Sequence, residues 1–525
     1  MKSMRIQTLT RAAIVLGILI LLNIVSIRIF GRLDVTRNGV FTLSDASKEL
    51  MRSLDDRVTV KAYFTEDLPA PYNNHRREVL DQLNEYRAYS HGNLQYEFLD
   101  PSDEKSEQEA QQQGVAPVQV QVVKEDKFEI KKGYLGLVFL YEDRKEVLPV
   151  VQNTSGLEYE ISSTIKRLTT TTRKKIGFLT GQGEPPLNEM NRVLELVRRQ
   201  YETATVDLSR NAPVPQDVAA LMVIAPTQPI PDHVRFQIDQ YLMRGGRVAF
   251  CLNAVDANLQ NRFGRALDLG MGDMLNAYGL RLNTDLVRDV QCANISIVQQ
   301  QMGFSIQSQV PFPYLPMVSA FSEGNMMVKD LQGVVLFFAS SVDTAGVSAR
   351  GLTSEFLMRS SPRAGRMTGM FMYDPVARFT DADFAEQSIP LGVSISGPLR
   401  SAFAGTPVPS DTAAGSAPQL AAPLQQASDA RVILIGDGEF MRDQYLGNRD
   451  NVTIFANMID YLADDAGLIG IRSKDISMPP LEQVSDGAKR TVKYATLIVP
   501  PLLIIGYGLL RWKLRLARRK ALEAA

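Results

Sequence analysis

Three loops in this sequence carry residue types that could do chemistry. Gly181, Gln182, Gly183 and Glu184 follow the apolar run 175–180, and Asn253 and Asp256 follow 247–252. Asp437 and Glu439 sit in Gly436-Asp-Gly-Glu-Phe440, just after 431–435. Ligands of open α/β sheets bind outside the carboxyl ends of the strands. If the three runs are neighbouring strands, these residues share one edge. Glu184, Asp256, Asp437 and Glu439 could there hold a cation or the hydroxyls of a polyol, or they could simply cap turns and helices.

The sequence argues against stronger chemistry. Gly181-x-Gly183 lacks the third glycine of a dinucleotide fingerprint, Pro185 and Pro186 occupy the approach to the next helix, and no P-loop motif occurs. A turn that needs glycine backbone freedom accounts for the same residues. Cys251 ends an apolar run, but a nucleophilic thiol needs a base within reach. The histidines are His75, His91 and His233, and none follows Cys251, which reads as a small buried residue. Three histidines and two cysteines without ligand spacing argue against zinc. The sequence therefore predicts no catalytic residue, no metal and no cofactor.

The elements that position these loops follow from periodicity. In residues 31–170, Val58, Val60, Ala62 and Phe64 alternate as in a strand, and Val79, Leu83 and Tyr86 form a helical stripe. Leu94, Tyr96 and Phe98 alternate again, a polar helix spans 102–113, and Pro117 leads into Val118, Val120 and Val122. A hairpin at 136–141 and 146–151 closes the unit. This β-α-β-α-β-β order is that of a thioredoxin-like unit, without its Cys-x-x-Cys motif. A helix over 156–168 joins it to residues 171–470. There, strands at 175–181, 219–225, 247–252, 333–338, 367–372 and 431–435 alternate with helices at 188–201, 232–242 and 452–462. That pattern predicts an α/β, doubly wound, mostly parallel sheet, with an insertion at 254–330 and a disordered loop rich in Ala, Pro, Ser and Gly at 403–428.

Charge places the chain at a membrane. The 57 basic and 58 acidic residues balance overall. Lys2, Arg5 and Arg11 at one end and Arg511, Lys513, Arg515, Arg518, Arg519 and Lys520 at the other leave an acidic middle, which argues against nucleic acid. Residues 12–30 (AAIVLGILILLNIVSIRIF) and 494–510 (YATLIVPPLLIIGYGLL) read as two transmembrane helices. A cleaved signal peptide would want a small-x-small site, and 26–31 offer a poor one. Pro500 and Pro501 should kink the second helix. Residues 1–11 and the basic tail 511–525 flank the spans, so both termini should be cytoplasmic. A connector over 471–493 follows the ectodomain, which should be periplasmic. Cys251 and Cys292 could pair there or remain two thiols.

These segments, in this order, resemble the GldG family, auxiliary components of bacterial ABC-type transport systems associated with gliding motility. The resemblance rests on Leu33 to Ser44 (LDVTRNGVFTLS), Gly156 to Ile161, Ile165 to Leu168, Ile176 to Glu184 and Gly245 to Val248. It continues through Tyr278 to Leu280, Asp285 to Asp289 (DLVRD), Pro311 to Pro313, Gly436 to Phe440, Ile459 to Leu462 and Ile471 to Lys474. It implies a membrane permease and a cytoplasmic ATPase as partners. It also implies that the second unit is similar to the glutamine-amidotransferase-like domain shared with intraflagellar-transport proteins. The amidotransferase nucleophile elbow and its His-Glu partners are missing here, so that activity is not expected.

Three functions compete on this reading. The first is a non-enzymatic transporter subunit that contacts lipid through its two anchors. The second is an extracytoplasmic ligand-binding or sensing domain for a glycan or peptide at the strand-end loops. The third is a membrane-tethered hydrolase, which would require a constellation the sequence only hints at.

Overall fold

The computed structural model describes residues 42–472 and 486–523, apart from 67, 71, 125–126, 155, 211, 302–303, 410–421, 447, 465–466 and 468. The expected first membrane segment, 12–30, lies outside the described residues, as does the middle of the expected loop at 403–428. The chain divides into two units, Met1–Ser477 and Met478–Ala525. The architecture is mixed α/β with several sheets.

The first layer opens with α1 (Asp45–Arg52), whose N-cap Ser44 accepts a hydrogen bond from the Ser47 N–H. Then come β1 (Val58–Phe64), α2 (His75–Tyr89), β2 (Leu94–Leu99), α3 (Glu104–Gln113), β3 (Pro117–Lys124), β4 (Lys127–Tyr141), β5 (Arg144–Leu148) and α4 (Leu157–Thr169). The sheet order is β2-β1-β4-β3, with β5 also on β4. β1 and β2 are parallel, and β4 is antiparallel to β1, β3 and β5. The alternation of β1 puts Val58, Val60, Ala62 and Phe64 against Val79, Leu83 and Tyr86 of α2 and Ile161, Ile165 and Leu168 of α4. The segment 127–141, where the sequence suggests a strand only from 136, is one long strand: its first half pairs β3 and its second half β1 and β5.

The second layer contains β6 (Lys175–Thr180), α5 (Asn191–Arg198), β7 (Glu202–Asp207), β8 (Val218–Ile224), α6 (Asp232–Met243), β9 (Arg247–Cys251) and α7 (Gly272–Ala277). It continues with β10 (Leu286–Asp289), β11 (Cys292–Gln301), β12 (Phe304–Val318), β13 (Ala320–Phe321), β14 (Thr353–Arg359), β15 (Ala364–Met367), β16 (Pro390–Arg400), β17 (Gln426–Ile435) and α8 (Arg449–Leu462). Its main sheet runs β13-β14-β16-β17-β9-β8-β6-β7. The five strands from β17 to β7 are parallel, and β16, β14 and β13 extend them antiparallel. Ala220 and Met222 of β8 face α5 and α8, whereas Leu221 and Val223 face α6. Burial on both faces is why these strands read as continuous apolar runs.

Three expectations about this sheet are corrected. Residues 333–338 form no strand of it: only Val334–Val335 pair, with Val318 and Met317 of β12. Residues 367–372 are not in it either, since Met367 ends β15, which pairs β10 outside the main sheet. The expected disordered loop is structured at its far end, where Gln426 and Ala427 pair Arg400 and Leu399. The two cysteines are free thiols, Cys251 buried and Cys292 half-buried.

A buried ion pair fastens the layers together. Arg472 Nη2 lies 2.9 Å from Asp460 Oδ2 of α8 and donates to Tyr159 Oη of α4 at 2.9 Å, while Tyr201 Oη donates to Asp460 Oδ1 at 2.7 Å.

The second unit contains α9 (Asp486–Glu523), a 38-residue helix that continues on both sides of the expected span 494–510. At 1.5 Å per residue it is about 57 Å long. Its segment Lys493–Ala517 is, among the described residues, the one helix long and apolar enough to cross a membrane. Pro500 and Pro501 lie inside this helix.

Candidate functional site

The ends of β6, β8, β9 and β17 lie side by side because these strands are parallel neighbours. The loop after β17 fits tightly against its surroundings. A Cβ on Gly436 would overlap the Ser340 carbonyl oxygen, and one on Gly438 would meet Ala225 and the Cys251 carbonyl oxygen. Asn253 Oδ1 accepts from the Gly438 N–H at 2.7 Å, and Asn253 Nδ2 lies 3.4 Å from Glu439 Oε1. Arg442 donates to Glu439 Oε2 at 2.6 Å and to Glu189. Asn253, Asp437 and Glu439 are thus brought together, as the strand-end rule predicts.

Asp437 is fully buried and staples two segments. Its Oδ1 accepts from the Glu439 N–H and its Oδ2 from the Phe337 N–H, both at 2.7 Å. Burial pushes its carboxyl up to about 8 in spite of those bonds. Burial also raises Glu439, against the opposing pull of Arg442, and raises Glu184. Asp437 therefore keeps its proton in the folded chain up to about pH 8, while the unfolded chain releases it. Its contribution is complete below the unfolded value of 3.8 and is lost as pH rises through about 8. The purified chain is therefore expected to lose stability towards urea between pH 5 and 8, and Asp437→Asn should flatten that slope. An unchanged slope in the variant would contradict the assignment.

The other expected residues lie differently. Gln182 and Glu184 are at the end of β6, next to the 225–228 turn: the Gln182 carbonyl accepts from the Thr227 and Gln228 N–H groups at 3.1 and 3.0 Å. Gly181 and Gly183 have φ values of +111° and +80°, so the turn does need glycine there. Glu184 Oε2 accepts from the Gln182 N–H at 2.7 Å. Gln182 Oε1 and Glu184 Oε1 are shut off from solvent and accept no hydrogen bond from the chain. Asp256 turns outward on a two-residue hairpin and lies 3.5 Å from Arg265 at the surface. It does not converge with the others.

Sequence reasoning missed Glu189, Arg442 and Asp443. Asp443 accepts from the N–H groups of Asn191 and Arg192 at 2.9 and 3.0 Å, closing the first turn of α5. The spacing of Glu439 and Arg442 carries a local signal. Glu189 carries none, since its partner is 253 residues away.

The segment over the sheet edge is held by side chains. Asp450 Oδ2 accepts from the Gln332 and Gly333 N–H groups, and Asn451 pairs with both the N–H and the carbonyl of Val335. The motif at 285–289 has the same task. Asp285 accepts from the N–H and hydroxyl of Ser341 at 2.8 and 2.6 Å. Asp289 accepts from the N–H and hydroxyl of Ser361 at 2.7 and 2.6 Å and from the Gln291 N–H at 2.8 Å. Cys251 packs into the apolar cluster beneath α5 and α8, and burial raises its thiol. Among the described residues, no group of three or more His, Cys, Asp or Glu stands together as metal ligands. The arrangement clamps loops, and Gln182 Oε1 and Glu184 Oε1 are its unpartnered acceptors.

Four known families or proteins are similar to the chain. Residues 173–464 match the model of a family described as "ABC-type uncharacterized transport system", and residues 37–140 match a domain of unknown function, DUF7088. A Borreliella burgdorferi (strain ATCC 35210 / DSM 4680 / CIP 102532 / B31) protein named "Uncharacterized protein" is 20% identical over 506 residues, 93% of this chain and 94% of that one. A solved structure, "mmIFT52 N-terminal domain", is similar with a TM-score of 0.34 and 13% identity, covering 55% of this chain and 97% of that one.

Proposed function

The chain belongs to the auxiliary-component family of ABC-type transport systems, and from that membership we propose that it is a non-enzymatic subunit serving a membrane permease and a cytoplasmic ATPase. The observation that carries this reading is the match over 173–464, the α/β layer, in a chain that also has the apolar helix segment Lys493–Ala517. In this reading residues 12–30 form a second span, both termini are cytoplasmic and the folded layers are periplasmic. The GldG-like placement within the family belongs to the same proposal. The strand order β2-β1-β4-β5, with β1 and β2 parallel, supports a thioredoxin-like first layer. With no cysteine before Cys251, it would act as a spacer or binding module. A photo-crosslinking residue at Leu503 of α9 should capture a permease in native membranes. Adducts with lipid alone would contradict the proposal.

One observation favours a second reading, ligand binding at the end of β6. Two buried acceptors, Gln182 Oε1 and Glu184 Oε1, lack donors from the chain, and such groups are costly unless satisfied. They suit a ligand that presents hydroxyl or amine donors, as a glycan or peptide does. Melting of the purified chain should rise with a glycan or peptide fragment that binds there. The rise should vanish in Gln182→Leu, and a ligand whose shift survives that change does not use this loop.

A further inference from the structure

Residues 290–322 contain no Asp, Glu, Lys, Arg or His, a run of 33 uncharged residues. It forms no membrane helix. It folds into the hairpin of β11 and β12, in which β11 pairs β12 on one side and no strand among the described residues on the other. Along β11, Asn294, Ser296 and Val298 are exposed, Val298 by 69%, while Ala293, Ile295 and Ile297 are half-buried.

Most other long edges among the described residues are protected; the outer edge of β12 over 304–310, without charge or proline, is the exception. β7 carries Glu202 and Asp207, and β2 carries Glu97. β3 carries Pro117 and Lys124, and β5 carries Arg144, Lys145 and Glu146. Charges and proline on an edge prevent pairing with other strands. β13, at the far side of the main sheet, is two residues long and offers little to pair with. The ten residues of β11 have neither device. Val334 and Val335 add a third strand only at the inner end of β12, so the outer part of the hairpin is two-stranded and gains from a further strand.

We propose that the outer edge of β11 pairs antiparallel with the same edge of a second copy of this chain. The pairing is two-fold, so each edge side chain faces others from the same strand. Any charge there would meet its own copy, and like charges opposite one another are destabilising. An edge with no charge is compatible with itself in every register. Asn294 both donates and accepts hydrogen bonds, and Ser296, whose Oγ accepts from Gln309 Nε2, still has its O–H to donate. Confinement of copies to one membrane raises their effective concentration, and a ten-residue edge then suffices.

The test uses the full chain in native membranes with Cys292→Ser. Single cysteines are placed by Asn294→Cys, Ser296→Cys and Val298→Cys, with Glu202→Cys on the charged edge of β7 as control. Mild oxidation should give a covalent dimer for at least one β11 position and none for Glu202→Cys. Adding Val298→Lys to the Ser296→Cys or Asn294→Cys chain should reduce the dimer at least tenfold. Two differently tagged copies, free of added cysteines, should also copurify, and lose that association with Asn294→Lys or Val298→Lys. Crosslinking no stronger than the control overturns the proposal, and so does a dimer that survives both lysines. Capture of a different protein through this edge, without self-association, also overturns it.

Discussion

Replacing Arg472 by methionine is expected to cost about 3–5 kcal/mol of folding stability, the usual penalty for leaving a buried charge without its partner. Arg472 is 6% exposed and Asp460 1%. Without the guanidinium, Asp460 keeps the Tyr201 hydroxyl and loses its counter-charge, while Tyr159 of α4 loses its hold on the second layer. Native domains are stable by only about 5–15 kcal/mol, so the variant should unfold at a much lower urea concentration. Arg472→Lys should recover part of the loss, because an ammonium lacks the fork that reaches Asp460, Tyr159 and Asn457 together. Arg472→Met with Asp460→Leu should lie closer to the parent than Arg472→Met alone, since replacing both members of a buried pair is often tolerated. A single variant within about 1 kcal/mol of the parent, the scale of a surface pair, would contradict a buried pair that joins the layers.

Asp289→Ala should have an effect of similar size for a different reason. Asp289 is fully buried and takes three donors: the N–H and hydroxyl of Ser361 and the N–H of Gln291. Alanine leaves the two N–H groups without acceptors, and each buried unsatisfied group costs about 1–3 kcal/mol. A loss of about 2–6 kcal/mol is expected on that ground, with the largest rise in amide exchange at Ser361 and Gln291. Asp289→Asn retains one acceptor and should lose less. If the alanine variant exchanges no faster at those amides, the staple is assigned to the wrong residue.

The sequence showed some of this and hid the rest, for physical reasons. The runs 175–180, 219–225, 247–252 and 431–435 are legible because burial on both faces leaves nearly unbroken apolar strands. Residues 333–338 look the same in sequence and are equally buried. What differs is where their backbone bonds go: the N–H groups of Gly333, Val335 and Phe337 to the side chains of Asp450, Asn451 and Asp437, about a hundred residues onward, and those of Leu336 and Phe338 to the carbonyls of Pro316 and Tyr314 in β12. β16 escaped notice because Pro390, Gly392, Gly397 and Pro398 read as breakers, yet the strand absorbs them with a register shift between Gly397 and Leu399. At the site, the strand-end rule located Asn253, Asp437 and Glu439. It could not show that Asp437 and Glu439 already have partners, nor that Asp256 turns outward to Arg265. The DLVRD motif was legible as a resemblance, and its role as two buried staples became clear only once Ser341 and Ser361 were placed beside it.

The central claim, an auxiliary subunit of a transport complex, is tested most directly by purifying the tagged full-length chain from its native membrane in mild detergent. Copurifying proteins would be identified by mass spectrometry. The account predicts a permease and an ATPase in stable proportion to this chain. Recovery of the chain without either, in a preparation where a known membrane complex survives intact, would contradict it.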